Sequence, residues 1–262
     1  MSENIDYAIE ELKNSNWEVL DFNNAIDVSK KVFEKEIANL CEILLETKVD
    51  LEKHIITGGG GKSLFVQELE KKFKNQDWEK NNISITNKIS FLNNIPTRET
   101  ESSSHEVDHL IKTEKGKLAI LEIEWNNKSE FFDRDLHNIQ NAWQIHAVEL
   151  GIIITRSKKL NENLITDIFN FFLNNDIKEY SDFKNLKEEL LRFNFPSTSH
   201  IKKINKAMLS NKDFTKTAAE VFWASKYRDT TFTEQLTRRI DRGQLGRAPL
   251  IVFGIPPIIR KQ

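Results

Sequence analysis

Residues 105–125 read as two β-rich arms around a turn at Thr113-Glu114-Lys115-Gly116, and the second arm ends in Glu122-Ile123-Glu124. A hairpin of this kind commits the chain to a sheet. In the arm 118–125, alternation places Leu118, Ile120, Glu122 and Glu124 on one face and Ala119, Leu121, Ile123 and Trp125 on the other. The second face is apolar throughout, whereas the first turns acidic at its end. Like charges on one strand face repel, and their burial is costly without compensation. A divalent cation would compensate them, and Asp108 in the neighbouring arm would add a third carboxylate. Hard oxygen ligands with retained waters suit Mg²⁺, which can activate water for attack on a phosphodiester. The competing reading is an exposed strand end with two solvated glutamates.

The same segment holds His105-Glu106-Val107-Asp108-His109, a literal H-E-x-x-H, the signature of a zinc metalloprotease. That chemistry needs a helix, which brings residues four apart onto one face. In a strand the two histidines would stand roughly 13 Å apart, at about 3.3 Å per residue, and could not share a metal. Residue 105 therefore decides between two enzymes by beginning a helix or a strand. A further motif, Gly58-Gly59-Gly60-Gly61-Lys62-Ser63, ends like a P-loop but has Ile56 where the full pattern requires glycine. It reads instead as a helix boundary whose free amides can meet an anion.

Elsewhere, helical spacing of apolar residues predicts helices over 6–13, about 25–53, 63–73, 134–148, 160–174, 183–192 and 198–209. Residues 17–22, the apolar run 151–155 and residues 250–253 read as strands. Residues 81–104 are polar and rich in Asn, Ser and Thr, and read as a loop or insertion. Strands mixed with helices give an α/β or α+β expectation, a mixed central sheet flanked by helices.

With a hydrophobic share of 39% and a charged share of 30%, the chain fits a globular protein that buries a substantial core. No apolar run approaches the ~18–20 residues needed to span a bilayer, so no membrane partner is expected. The start MSENIDYAIEELK is acidic and amphipathic, unlike a signal peptide, and a cytoplasmic location is the expectation. The single Cys41 excludes an intramolecular disulfide and a cysteine-based zinc site. A net charge of -2 does not advertise nucleic-acid binding, but buried metal-binding carboxylates would mask a basic surface in the total.

The words SHEVDHL, LEIEWNNKSEFFDRDLHN and GIIITR, with the GGGGKS element upstream and RGQLGRAPLIVFGI downstream, resemble type II restriction endonucleases of the BglII/BamHI-like group. The resemblance runs from about residue 17 to 254. It implies a PD-(D/E)XK nuclease of bacterial or archaeal cytoplasm, one domain over 1–262 with its catalytic core at about 105–156. It further implies a homodimer that cuts palindromic double-stranded DNA with Mg²⁺ to leave 5′-phosphates, and a cognate DNA methyltransferase in the same host. By that resemblance Asp108 and Glu122 match the metal-binding acids, the carbonyl of Ile123 would be a further ligand, and Glu124 stands where the superfamily usually has lysine. Gln67 or Glu70 would complete the site from the upstream helix. Asn126, Asn127, Lys128, Arg134, Asn138, Arg238, Arg239 and Arg242 are the candidate DNA contacts, against a salt-bridge reading for Asp133-Arg134-Asp135 and a solvated-helix reading for the arginines near 240. A non-catalytic DNA-binding protein is the remaining alternative.

Overall fold

The computed structural model describes residues 4–57, 62–74, 78–84, 86–89, 98–101, 105–210 and 212–258. Helix α1 (Ile5–Asn14) leads through strand β1 (Glu18–Phe22) to helices α2 (Ala25–Val32), α3 (Glu34–Leu45) and α4 (Leu64–Lys74). Strands β2 (Glu79–Ile83), β3 (Thr86–Ile89) and β4 (Arg98–Glu101) precede the hairpin, β5 (His105–Lys112) and β6 (Leu118–Glu124). Helix α5 (Phe131–Gln144) then crosses to β7 (Leu150–Arg156). Helices α6 (Lys158–Asn174), α7 (Phe183–Glu189), α8 (Thr198–Met208), α9 (Phe214–Lys226) and α10 (Thr233–Asp241) follow, before the last strand β8 (Leu250–Ile255).

The principal sheet has six strands in the order β1-β8-β7-β6-β5-β2. Its middle is parallel, with β6, β7 and β8 running together, and its flanks are antiparallel. A separate pair joins β3 to β4. The alternation in β6 divides the core as its sequence requires. Ala119, Leu121, Ile123 and Trp125 join the larger core beneath α1, α3, α4, α6 and α9, whereas Ile120 joins a smaller one under α5 and α10. Each fully buried Leu, Ile or Phe stabilises the fold by roughly 1.5–3 kcal/mol relative to exposure.

Two glycines carry local geometry. Gly116 closes the hairpin at φ +78°, and its amide donates to the Thr113 carbonyl at 2.9 Å. Gly151 lets α5 lie close on β7, because a Cβ there would sit 2.6 Å from Cγ2 of Ile139.

Three expectations need correction. The helix expected over 25–53 is broken at Phe33, whose φ of -130° leaves helical space while its ring is fully buried. After α3 ends, the Thr47 hydroxyl bonds back to the Ile43 carbonyl at 2.7 Å, and the chain resumes only in a short π-helical turn, Leu51–Ile56. Residues 81–104, read as a loop, instead contain most of β2 and all of β3 and β4. Strand β2 is held by backbone pairing to β5 and its side chains are largely exposed, so no apolar alternation marks it. Helix α9 was not anticipated, while α10 takes up the helical reading weighed for the arginines near 240. The glycine run 58–61 lies outside the described residues. Among the described residues no helix is long and apolar enough to cross a membrane.

Candidate active site

Residue 105 begins a strand, and with it the zinc-protease reading fails: the H-E-x-x-H lies along β5, not on a helix face. His109 is a core residue, 2% exposed, with its ring edge-on to Phe73 of α4 at 5.1 Å. Burial depresses its pKa to about 4.

The acids gather where β5 and β6 part. Pairing between the arms runs from Lys112↔Leu118 to His109↔Leu121. On the other side of β5, Glu79 pairs with Leu110 but Asn81 with Val107, so β5 carries one extra residue at 108–109. Such a bulge bends a strand and re-aims its side chains. Beyond it, side chains replace the ladder: Oδ2 of Asp108 accepts the Ile123 N–H at 2.9 Å, and the Asp108 N–H donates to Oε2 of Glu122 at 3.2 Å. Asp108, Glu122 and Ile123 thus form one linked unit, through the amide of Ile123.

Glu124 sits one pleat further on, 2% exposed. Its Oε2 accepts from the Asn127 amide at 2.9 Å, and Nη2 of Arg134 lies 3.8 Å from Oε1. It is also hydrogen-bonded to Asp135, a fully buried acid of α5. Arg134 grips Oδ1 of Asp135 through Nε at 3.0 Å and Nη2 at 2.8 Å. Sequence reasoning placed Asp135 only in a salt-bridge cluster. The available signal was its place, with Phe132, Leu136 and Ile139, on the apolar stripe of α5.

Burial, then the nearby Asp135 and Asp108 charges, pushes the Glu122 carboxyl well above its ordinary range. Burial and Asp135 raise Glu124 to about 9. Asp108 is raised by burial too, against the opposing pull of the Ile123 amide and Lys80. A folded-state pKa above the ordinary 4.5 means that the folded protein holds the proton more tightly than the unfolded chain. Its contribution to stability is therefore full at low pH and lost as pH rises through about 9. In chelator, the melting temperature of the wild type is expected to fall between pH 6 and pH 9, and that of Glu124→Gln to fall less. Parallel melting curves for the two proteins would refute this.

A divalent cation fits this donor set: hard carboxylate oxygens, buried together, whose charges Arg134 alone does not balance. In the conformation present, the acid oxygens are engaged by amides, Asn127 and Arg134. Among the described residues no three acid, histidine or cysteine side chains converge as a ligand group.

The loop leaving β6 is fixed from below. Arg156, fully buried at the end of β7, donates to the Trp125 carbonyl at 2.8 Å, Oδ1 of Asn161 at 2.7 Å and the Thr231 carbonyl at 2.9 Å, and also to the Thr230 hydroxyl. The Tyr227 ring covers it at 5.2 Å. Thr231 in turn donates its N–H to the Asn127 carbonyl at 2.9 Å, and Lys128 bridges to Thr230. Asn126 and Asn127 consequently face a cleft of about 240 Å³ shared with Lys62, Ser63, Asp108 and Ile123.

The remaining sequence candidates are dispersed. Gln67 donates to the Lys62 carbonyl at 2.7 Å, and Glu70 pairs with Lys62 and Lys80. Asn138 is half-buried on α5. Arg239 joins α10 to the site's outer edge through Asp133 at 2.8 Å and the Ser129 hydroxyl at 3.3 Å. Arg238 pairs with Glu234 on its own helix at 3.5 Å, and Arg242 is exposed.

A mixed six-stranded sheet between helices, with acids at the parting ends of two interior strands, defines a restriction-endonuclease-like α+β protein. Over residues 17–255 the chain matches the family described as "Restriction endonuclease BglII/BglIII", and it belongs to that family. It is a type II restriction endonuclease, a site-specific deoxyribonuclease and hence a hydrolase; the family implies double-stranded DNA as partner and a divalent-metal requirement. No curated protein matches the chain.

Proposed function

We propose that this endonuclease is a Mg²⁺-dependent homodimer that cuts both strands of a short palindrome and leaves 5′-phosphates. The reading is carried by one observation, the Asp108–Glu122–Ile123 unit at the parting of β5 and β6 beside the buried Glu124. Asp108, Glu122 and the carbonyl of Ile123 would hold the cation, which supplies charge compensation to the carboxylates and to the phosphodiester in its pentavalent transition state. Glu124, once ionised, positions a water through one oxygen and accepts its proton. The water oxygen bonds to phosphorus, the bond from phosphorus to the 3′-oxygen breaks, and the 3′-oxygen takes a proton from solvent. A 5′-phosphate and a 3′-hydroxyl result.

Asn127 holds Glu124 and fixes its orientation. Asn126, Asn127 and Lys128 border the path of the substrate backbone. Arg134, Asn138, Arg238, Arg239 and Arg242 are proposed to contact DNA, Arg134 by exchanging its carboxylate partners for a phosphate. The chain over 1–262 acts as one domain with its catalytic core at about 105–156, in the cytoplasm of a host whose cognate methyltransferase protects the same sites.

The test is direct. Purified protein incubated with phage DNA and Mg²⁺ should give discrete fragments, lost with EDTA, and sequencing their ends should show 5′-phosphates at a two-fold symmetric site. Specific gel shifts without cleavage under any divalent metal would support a DNA-binding protein instead and sink the proposal.

A further inference from the structure

The site is short of positive charge. Asp108, Glu122, Glu124 and Asp135 crowd one end of the sheet, and a phosphodiester brings further negative charge to it. Arg134 serves the Glu124–Asp135 side.

On the opposite side of Asp108 the structure places two ammonium groups. Lys62, just before α4, lines the same cleft as Asp108, Ile123, Asn126 and Asn127. Lys80 comes from β2, across the bulge in β5. Glu70 of α4, with a side chain only 15% exposed, pairs with both: directly with Lys62 and at 3.4 Å with Lys80. The charges of Lys62 and Lys80 are both felt at Asp108, where they favour the carboxylate. A carboxylate bound to two lysines is engaged as their counter-ion. Its position fixes where their nitrogens sit.

We propose that Lys62 is a further catalytic residue, its ammonium contacting a non-bridging oxygen of the scissile phosphate at the Asp108 cleft, with Glu70 and Lys80 as the residues that position it. This rests on the nuclease reading of the same site. Lysine acts here as a compact point charge with three donors, which suits an oxygen whose negative charge grows in the transition state. Its stem emerges from the start of α4, so the charge is delivered from outside the hairpin. No residue of the E-x-E strand has to supply it.

The test uses the full-length protein, Mg²⁺ and a duplex oligonucleotide that the wild type cuts. Lys62→Ala and Lys62→Met are expected to lower kcat roughly 100-fold, with KM changed less than about threefold. Lys62→Arg should recover at least about tenfold of that loss, and a fall in kcat for Lys62→Met at unchanged KM and melting temperature is what a merely structural role would not produce. Glu70→Gln should show an intermediate kcat, and Lys115→Ala, on the distant hairpin turn, wild-type values. Melting temperatures identify any variant that fails to fold; Lys62→Met retains most of the stem should alanine prove unstable. Wild-type kcat in Lys62→Met, or a loss confined to KM, overturns the lysine assignment and leaves the nuclease intact. A wild-type protein that cuts no DNA overturns both.

Discussion

Glu122→Gln is expected to lower the rate of DNA cleavage at least about 1,000-fold while leaving the fold as stable as the wild type or more so. The amide keeps the shape of the side chain and an oxygen for the Asp108 N–H. It removes a charge that burial and two neighbouring acids oppose. In chelator above neutral pH, unfolding midpoints should therefore rise or hold, because the folded wild type must there ionise a carboxyl that resists ionisation. Added Mg²⁺ should stabilise the wild type and not the variant, since only a ligand that binds the folded state raises the midpoint. Cleavage by the variant at a tenth of the wild-type rate would remove Glu122 from the metal site.

The second large effect belongs to a residue that touches no substrate. Arg156→Ala should cost about 3–5 kcal/mol in urea unfolding, because it strands the buried Trp125 and Thr231 carbonyls and the Asn161 side chain together. At about 2–4 °C per kcal/mol for a chain of this size, the melting temperature should drop by roughly 6–20 °C. Burial lowers the guanidinium only to about 10, so the residue stays charged at neutral pH. Arg156→Lys should recover little, as one ammonium cannot reproduce the planar fork that meets three elements. A cost under about 1 kcal/mol would mean that the loop after β6 is held by other contacts.

The sequence reveals those parts of the molecule that bury apolar side chains. Strand β5 and helices α1, α4, α6 and α8 repeat apolar residues at the period of their element, and β7 is a continuous apolar run buried on both faces. In β6 the alternation also places Leu121 and Ile123 on the face opposite Ile120, as found. Strand β2 is hidden because it is held by amides and carbonyls, which every residue carries. Asp135 is hidden for a different reason. A charged triplet on a helix looks like solvent-facing surface until the neighbouring strand is known to end in acids. Arg156 closes an apolar strand and reads as its polar terminus; only the loops at 125 and 230, distant in sequence, make it a hub. The zinc motif was decided by backbone alone, since its letters are the same in either conformation.

The place of β8 bears on the order in which the protein assembles. Glu18 of β1 has Gly254 as its partner, and β7 pairs with a strand that begins at Leu250. Contacts of such long sequence separation are slow to form. On a ribosome adding about 5–20 residues per second, the interval between the end of β7 and the start of β8 lasts roughly 5–20 s. Throughout it β7 has an open edge, and the core beneath α5 lacks Leu250 and Val252. The nascent chain thus carries every acid of the site well before it has the sheet that holds them in register. An enzyme that attacks DNA gains its cutting geometry only after β8 has been added.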